Sequence, residues 1–433
     1  MLALTIMFNL NSEFPLRDKG VSNAQGTENL PRHRWYFMKE GFSPKLVEQA
    51  IATEGGRRGE ILLDPFSGGG TVPLTGALAG MKTRSFEVNP FLRFLSATKL
   101  QNAEPSAVLK SSRIVSKGLD RPQRSFLEGV STFTEGNRRS KWLFPVDVLR
   151  SYEGGRLALY EVPLEHRDLL QLALLGATMD CCNAVRDGKC LRYLPKWRDN
   201  QATRAQLYDH FQRRVKELAE DLSAAPLLNA DSRVTEGDAR KLIANDPKER
   251  FRLCVTSPPY LNSFDYSDVY RPELFLGAFV DSNNTLMQVR LKTLRSHVQA
   301  SWPAPRKNQF GVLYSKCMAQ FLDAEDMFWD PRIPKMVQAY FEDMDGILAD
   351  LKKRALPSAS VWLVVSTSAY AGIEVPVDLI LAEIGQRDGW FLREVGVLRY
   401  LRSSSQHTWH VGDEARKAVP LRESVVILDA KAR

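Results

Sequence analysis

Ile61-Leu62-Leu63-Asp64-Pro65-Phe66-Ser67-Gly68-Gly69-Gly70-Thr71 is the stretch on which the fold turns. Its apolar opening reads as a short buried strand over 60–66, and three glycines follow as a tight turn. A helical pattern takes over at 71–80. A glycine-rich turn between strand and helix lets backbone N–H groups approach a ligand. It is no P-loop, because no Gly-Lys-Ser/Thr follows. A second strand, 82–87, ends on Glu87, and Asn89-Pro90 opens another helix. An acidic side chain about 20 residues past such a turn is placed to accept ribose hydroxyls. Turn glycines beside a surface glutamate are the bland alternative. The βαβα order implies a parallel sheet with right-handed crossovers.

Outward from this unit the pattern is mixed. Upstream, Ser43 suits a helix N-cap and Pro44 the first helical position, and Leu46, Val47, Ala50 and Ile51 give one apolar face before Gly55-Gly56. Residues 1–30 are polar and read as loosely held. Downstream, 103–160 mixes basic, aromatic and turn residues, and 161–223 reads as helical. Strands resume at 234–238 and 251–256, and 261–333 is a second irregular stretch. An amphipathic helix over 335–354, a strand at 361–365, a helix at 375–388 and strands at 391–401 and 424–428 complete the chain. The last two strands suit an antiparallel hairpin at a sheet edge. About seven strands result, in an α/β fold with insertions. The implied organisation is a ligand-binding part at 31–102, a mostly helical insertion at 103–230, and a second part of the α/β domain at 231–433 interrupted by 261–333.

At 433 residues the chain can bury a full α/β core with sizeable insertions, and 44% hydrophobic content is ordinary for a globular protein. No apolar run approaches the roughly 20 residues needed to cross a bilayer, so no membrane partner is expected. Residues 1–8 carry no basic leader, which points to a cytoplasmic protein. The net charge of +8 fits a polyanionic partner. The five cysteines are odd in number and irregularly spaced, which argues against a disulfide framework. They also lack the paired spacing of a zinc site, so no metal is expected.

The second informative stretch is Thr256-Ser257-Pro258-Pro259-Tyr260, after the apolar run Leu253-Cys254-Val255. A chance Asp/Asn/Ser-Pro-Pro-aromatic tetrad in a chain of this length is on the order of one in a hundred. A rigid Pro-Pro turn with a packed tyrosine is the alternative reading. With both stretches in hand, the sequence resembles the DNA amino-methyltransferases of bacterial restriction-modification systems, the N4-cytosine and N6-adenine group. The 64–71 stretch resembles their motif I and 86–90 their motif II. Residues 236–240 are similar to motif III, 257–260 to motif IV, and 42–51 to motif X. The resemblance covers about two-thirds of the chain.

The resemblance implies a Rossmann-like methyltransferase fold and S-adenosyl-L-methionine as cofactor. Asp64, Phe66, Gly68, Gly70 and Thr71 would surround the methionine and adenosine, Glu87 with Asn89 would sit at the ribose, and Asp238 would meet the adenine amino group. Ser257, Pro258, Pro259 and Tyr260 would be catalytic. The chemistry suits these residue types. A base's exocyclic amine has its lone pair delocalised into the ring, so it is a poor nucleophile. The Ser257 hydroxyl and the Pro258 carbonyl can accept its N–H bonds and localise the pair, the prolines limit backbone relaxation, and Tyr260 offers a face for a flipped base. The implied partners are double-stranded DNA and a cognate restriction endonuclease. Ser257 at the first position points to cytosine N4, with adenine N6 as the alternative. An RNA amino-methyltransferase and a non-catalytic DNA-binding relative are the further alternatives. C5-cytosine chemistry is disfavoured, because no cysteine follows a proline. The regions 103–230 and 261–333 are the candidates for reading DNA, with 186–189 and Arg295-Ser296-His297 able to touch phosphate or bases. Arg399 and 403–407 are candidates for the wall of the target pocket, and solvated loops are the bland reading for all of these.

Overall fold

A computed structural model describes residues 10–16, 20–136, 140–187, 190–228, 231–245, 249–401, 410–411, 414–415 and 419–432. One sheet organises it: β1 (Ile61–Asp64), β2 (Lys82–Glu87), β3 (Ser232–Glu236), β4 (Phe251–Thr256), β5 (Ala355–Ser366), β6 (Phe391–Tyr400) and β7 (Arg422–Asp429). Their spatial order is β3-β2-β1-β4-β5-β7-β6, and the short strand Leu10–Asn11 lies beside β6. β1 to β5 pair in parallel, whereas β7 is antiparallel to both β5 and β6. The chain winds from β1 outward to β3, returns to β4 on the other side of β1, and winds outward again. The crevice between the ends of β1 and β4 is therefore the topological switch point, where open α/β sheets bind ligands. This is the Rossmann-like architecture that the resemblance implied.

Helices α1 (Pro44–Glu54), α2 (Thr71–Leu78) and α3 (Pro90–Lys99) flank the first half of the sheet. Ser43 caps α1 by accepting the Lys45 N–H at 3.3 Å, and Pro44 fills the first turn. The apolar face read from the sequence is the buried one: Leu46, Val47 and Ala50 have no exposed surface.

Four differences from the sequence reading have physical causes. Residues 10–16 are anchored and not loose: Leu10–Asn11 pairs with β6, and Phe14 is buried edge-on against Trp362. The 103–160 stretch holds two full helices, α4 (Pro105–Leu119) and α5 (Val146–Ala158). These pack with α6 (Leu164–Asp180) and α7 (Arg204–Ala224), and their apolar core is continuous with Phe91 and Phe94 of α3 and with Phe275 and Leu276. The 261–333 stretch contains short helices at Tyr266–Val269, Arg271–Leu276, Asn283–Leu291 and Val312–Leu322. Finally, the last two strands pair antiparallel at that end of the sheet as expected, but not as a hairpin added outward in chain order. β7 is inserted between β5 and β6, burying Val425 to Leu428 on both faces. Among the described residues, no helix is long and apolar enough to cross a membrane.

Candidate active site

A cleft opens over the carboxyl ends of β1, β2 and β4. Asp64, Phe66, Gly68, Thr71, Glu87, Asn89, Asp238 and all of Ser257 to Tyr260 line it. The glycine loop and the Pro-Pro loop leave neighbouring strands and are joined at their bases. The Thr256 hydroxyl donates to Asp64 Oδ1 at 2.7 Å, and the same oxygen accepts the Phe66 N–H at 3.0 Å.

On the glycine-loop side, Glu87 is the organising group. Its two oxygens accept the N–H groups of Gly68 at 2.7 Å and Asn89 at 2.8 Å, so the acidic end of β2 holds the loop after β1 in shape. Asn89 Oδ1 caps α3 through the N–H groups of Phe91 and Leu92, and its buried Nδ2 is left without a partner in the cleft wall. Asp238 is tied to Arg240, which donates to both its oxygens at 2.8 to 3.1 Å. The buried Lys99 ammonium supports the loop from beneath, donating to the Gly69 carbonyl at 2.9 Å. Gly70 departs from its expected place. It is not in the cleft wall but starts α2 with φ +83°, and a Cβ there would stand 2.7 Å from Ser96 Oγ. Its role is to let α2 approach α3.

On the Pro-Pro side, the Tyr260 phenol shares a hydrogen bond with the Ser257 side chain, and burial pushes its pKa well above the usual value. Several further residues line the cleft, among them His297, which the sequence offered as a phosphate or base contact, and others that it did not single out as site residues. Phe264 and Tyr266 form an edge-on pair 4.6 Å apart beside the loop. Glu40, Asn262, Lys292, His297 and Glu423 also line the cleft. His297 Nδ1 accepts the Gln299 N–H at 3.3 Å, and its ring stands edge-on to Trp302; burial lowers its pKa to about 4, so the ring is neutral near pH 7. Arg399 lines the far wall as expected, paired with Glu423.

Two of the expected phosphate or base contacts are turned inward. Arg186 pairs with the fully buried Glu273, donates to the Tyr36 hydroxyl at 3.0 Å and lies 4.5 Å from the centre of the Tyr270 ring. Arg295 is committed to Asp343 and Glu342, both at 2.7 Å. An arginine so paired inside the protein is structural, since freeing it would strand a buried carboxylate. Residues 188–189 and 403–407 lie outside the described residues. The described cysteines 181, 182, 254 and 317 are buried and free, and no metal-binding cluster of His, Cys, Asp or Glu occurs among the described residues.

Burial pushes the Glu87 carboxyl up to about 7, and burial with the nearby Glu87 charge pushes Asp64 up to about 7. Folded values above the ordinary ones mean that the ligand-free fold holds protons the unfolded chain would release. Its stability therefore falls as pH rises from about 4.5 through 7. A ligand that needs the anionic forms must expel those protons at lower pH. Its affinity is expected to drop by up to about tenfold per pH unit below 7 for each carboxyl that must ionise. Calorimetry with S-adenosylmethionine at pH 6, 7 and 8 measures this. Glu87→Gln should flatten the profile, and equal affinities at pH 6 and 8 in the wild type would refute it.

No family model matches the chain. The chain is 22% identical to the type II methyltransferase M.AvaI of Nostoc sp. and of Anabaena variabilis, across 94% of this chain and 88% of each relative. It is 24% identical to the type II methyltransferase M.BsoBI of Geobacillus stearothermophilus, across 95% of this chain and 88% of that one. Among solved structures, TrmN from Thermus thermophilus overlays with a TM-score of 0.28 at 10% identity, covering 89% of this chain and 48% of that one. The rRNA methyltransferase AviRa from Streptomyces viridochromogenes overlays at 0.30 and 12% identity, covering 90% of this chain and 85% of that one.

Proposed function

We propose that this relative of the type II methyltransferases of restriction-modification systems moves a methyl group from S-adenosylmethionine to the exocyclic amine of a base flipped from duplex DNA. The base is cytosine, methylated at N4. The observation that carries this reading is the meeting of the glycine loop and the Ser257 to Tyr260 loop in one cleft at the switch point. S-adenosylmethionine supplies, when bound, an electrophilic methyl on a cationic sulfur. The residues present fit it. Asn89 Nδ2 is a buried donor without a partner, Gly68 and Gly69 leave the wall bare of side chains, and the carboxylates of Asp64 and Glu87 suit a cationic ligand. Glu87 accepts the ribose hydroxyls, Asp238 meets the adenine amine, and Phe66 and Thr71 close the sides.

Ser257 Oγ and the Pro258 carbonyl accept the N–H bonds of the target amine and turn its lone pair out of the ring. Tyr260 and the Phe264–Tyr266 pair supply the aromatic surface that replaces base stacking. Once methylated, the nitrogen is cationic and sheds a proton readily, so positioning does most of the work. Residues 31–102 serve the cofactor and 231–433 the catalysis, while the helical insertion at 103–230 and the 261–333 stretch read the sequence. A restriction endonuclease of matching sequence is the enzyme such a mark would block, and action on cellular DNA places the protein in the cytoplasm.

Incubation with labelled S-adenosylmethionine and either unmethylated plasmid DNA or ribosomal RNA tests the proposal. Label should enter duplex DNA and fall steeply as salt rises, and nucleoside analysis should return N4-methyldeoxycytidine. N6-methyladenine as the sole product would change the base. Preferential labelling of RNA would replace the substrate.

A further inference from the structure

We propose that Arg399, held by Glu423, reads the ring edge of the flipped cytosine and separates it from adenine. The inference rests on the reading above, and it identifies the group that selects the base.

The placement begins in the sheet. β6 and β7 run in register from Val395 opposite Val426 to Val397 opposite Ser424, but the next pair is Arg399 opposite Glu423. Leu398 is the extra residue of a β-bulge. Unbroken register would set Leu398, a fully buried core side chain, opposite Glu423. The bulge sends Leu398 into the core and puts Arg399 at the cleft, a re-aiming that bulges commonly achieve beside active sites. Glu423 is buried, its side chain 6% exposed, and it takes Arg399 Nε; the arginine side chain is 26% exposed. Among the described residues, the two Nη groups have no hydrogen-bond partner. Both residues line the cleft that holds Ser257 and Tyr260, and the charges of Arg399 and Glu423 are felt at the Tyr260 phenol.

A guanidinium with Nε occupied still presents two parallel N–H donors from its Nη groups. Cytosine carries its N4 amine next to N3, and N3 next to O2, so two acceptors stand side by side on the edge adjoining the reacting group. Adenine carries N6 next to N1, followed by C2–H, which accepts nothing. With the amine held by Ser257 and Pro258, the fork finds two acceptors on cytosine and one on adenine. Glu423 also offsets the arginine charge, which alone would pull electron density from the amine.

The test uses Arg399→Lys, which keeps the ion pair with Glu423 but lacks the fork. Plasmid methylation by the wild type first identifies the methylated base and its sequence context. Duplexes with that context then carry either cytosine or 3-deazacytosine, which lacks the N3 acceptor, at the target. The wild type should lose about 10- to 100-fold in kcat/KM on the analogue. Arg399→Lys should be slower on cytosine by a similar factor and nearly indifferent to the analogue, with S-adenosylmethionine affinity within twofold of wild type. Comparing the two losses cancels any change in the analogue's intrinsic reactivity. An equal loss in wild type and variant overturns the proposal, as does a variant whose cofactor affinity collapses with its activity. A wild-type product of N6-methyladenine or methylated RNA is read from the first step, and it overturns the function proposed above independently of the Arg399 comparison.

Discussion

Ser257→Ala is expected to lower the rate of methyl transfer by about 100- to 1,000-fold, the range seen when one preorganised hydrogen-bonding group is removed from a reacting centre. Ser257 lies in the cleft at the end of β4, and the glycine loop that would hold the methyl donor leaves the adjacent strand. Removing Oγ takes away one of two acceptors on the target amine and leaves the Pro258 carbonyl. Its side chain is hydrogen-bonded to Tyr260, on the Pro-Pro side of the cleft. S-adenosylmethionine affinity by calorimetry should therefore stay near wild type while single-turnover transfer collapses. Tyr260→Ala should weaken duplex binding and transfer together, by about 1–3 kcal/mol of lost stacking. A Ser257→Ala enzyme with wild-type turnover would remove Ser257 from the mechanism.

Glu273→Ala is expected to cost about 3–5 kcal/mol of folding stability, the penalty for removing one partner of a buried ion pair. Glu273 is fully buried and meets both Arg186 and the Tyr36 hydroxyl. Without it, the Arg186 guanidinium, enclosed by the Tyr36 and Tyr270 rings, loses the carboxylate it pairs with and keeps the charge of Glu40 nearby. Three separate stretches meet at this pair: the segment leading to α1, the hairpin of the helical insertion, and the helix Arg271–Leu276. Urea unfolding should show the loss, and Glu273→Gln should recover part of it by keeping the bond to Tyr36. A midpoint unchanged in Glu273→Ala would show that the pair adds nothing to stability.

The centre of the sheet was legible because β1, β4, β5 and β7 carry apolar runs that are buried, with proline or glycine soon after β1 and β4. The two loops that define the cleft were legible for the same reason: each is a short turn with an unusual composition directly after such a run. The helices of 103–160 were hidden by how they pack. α4 and α5 approach each other at Gly118, Gly154 and Gly155, while Ser111 and Ser116 of α4 meet His166 of α6 and Gln212 of α7, so no stripe of large apolar residues marks the contact. A Cβ at Gly154 would lie 2.3 Å from the Arg121 carbonyl, so this pair reads as a turn in sequence and is a close helix contact in space. The inward turn of Arg186 and Arg295 could not be read either, because their carboxylate partners lie 87 and 48 positions away or nearly so along the chain. Glu423 fell just outside the strand expected at 424–428. Only the cross-strand register, with its bulge, brings it to Arg399.

The hydrogen bond between Thr256 and Asp64 bears on how the working distance is maintained. The glycine loop and the Pro-Pro loop, proposed to hold methyl donor and acceptor, grow from adjacent strands whose axes lie about 4.8 Å apart, a spacing set by the backbone ladder itself. Side chains at the very ends of those strands then clamp the two loop bases together. The gap a methyl group would cross is thus inherited from the most rigid repeat in the molecule. Fluctuations of the surrounding loops change who enters the cleft and how soon they leave, while the span between the two reacting partners is lost only when the centre of the sheet itself comes apart.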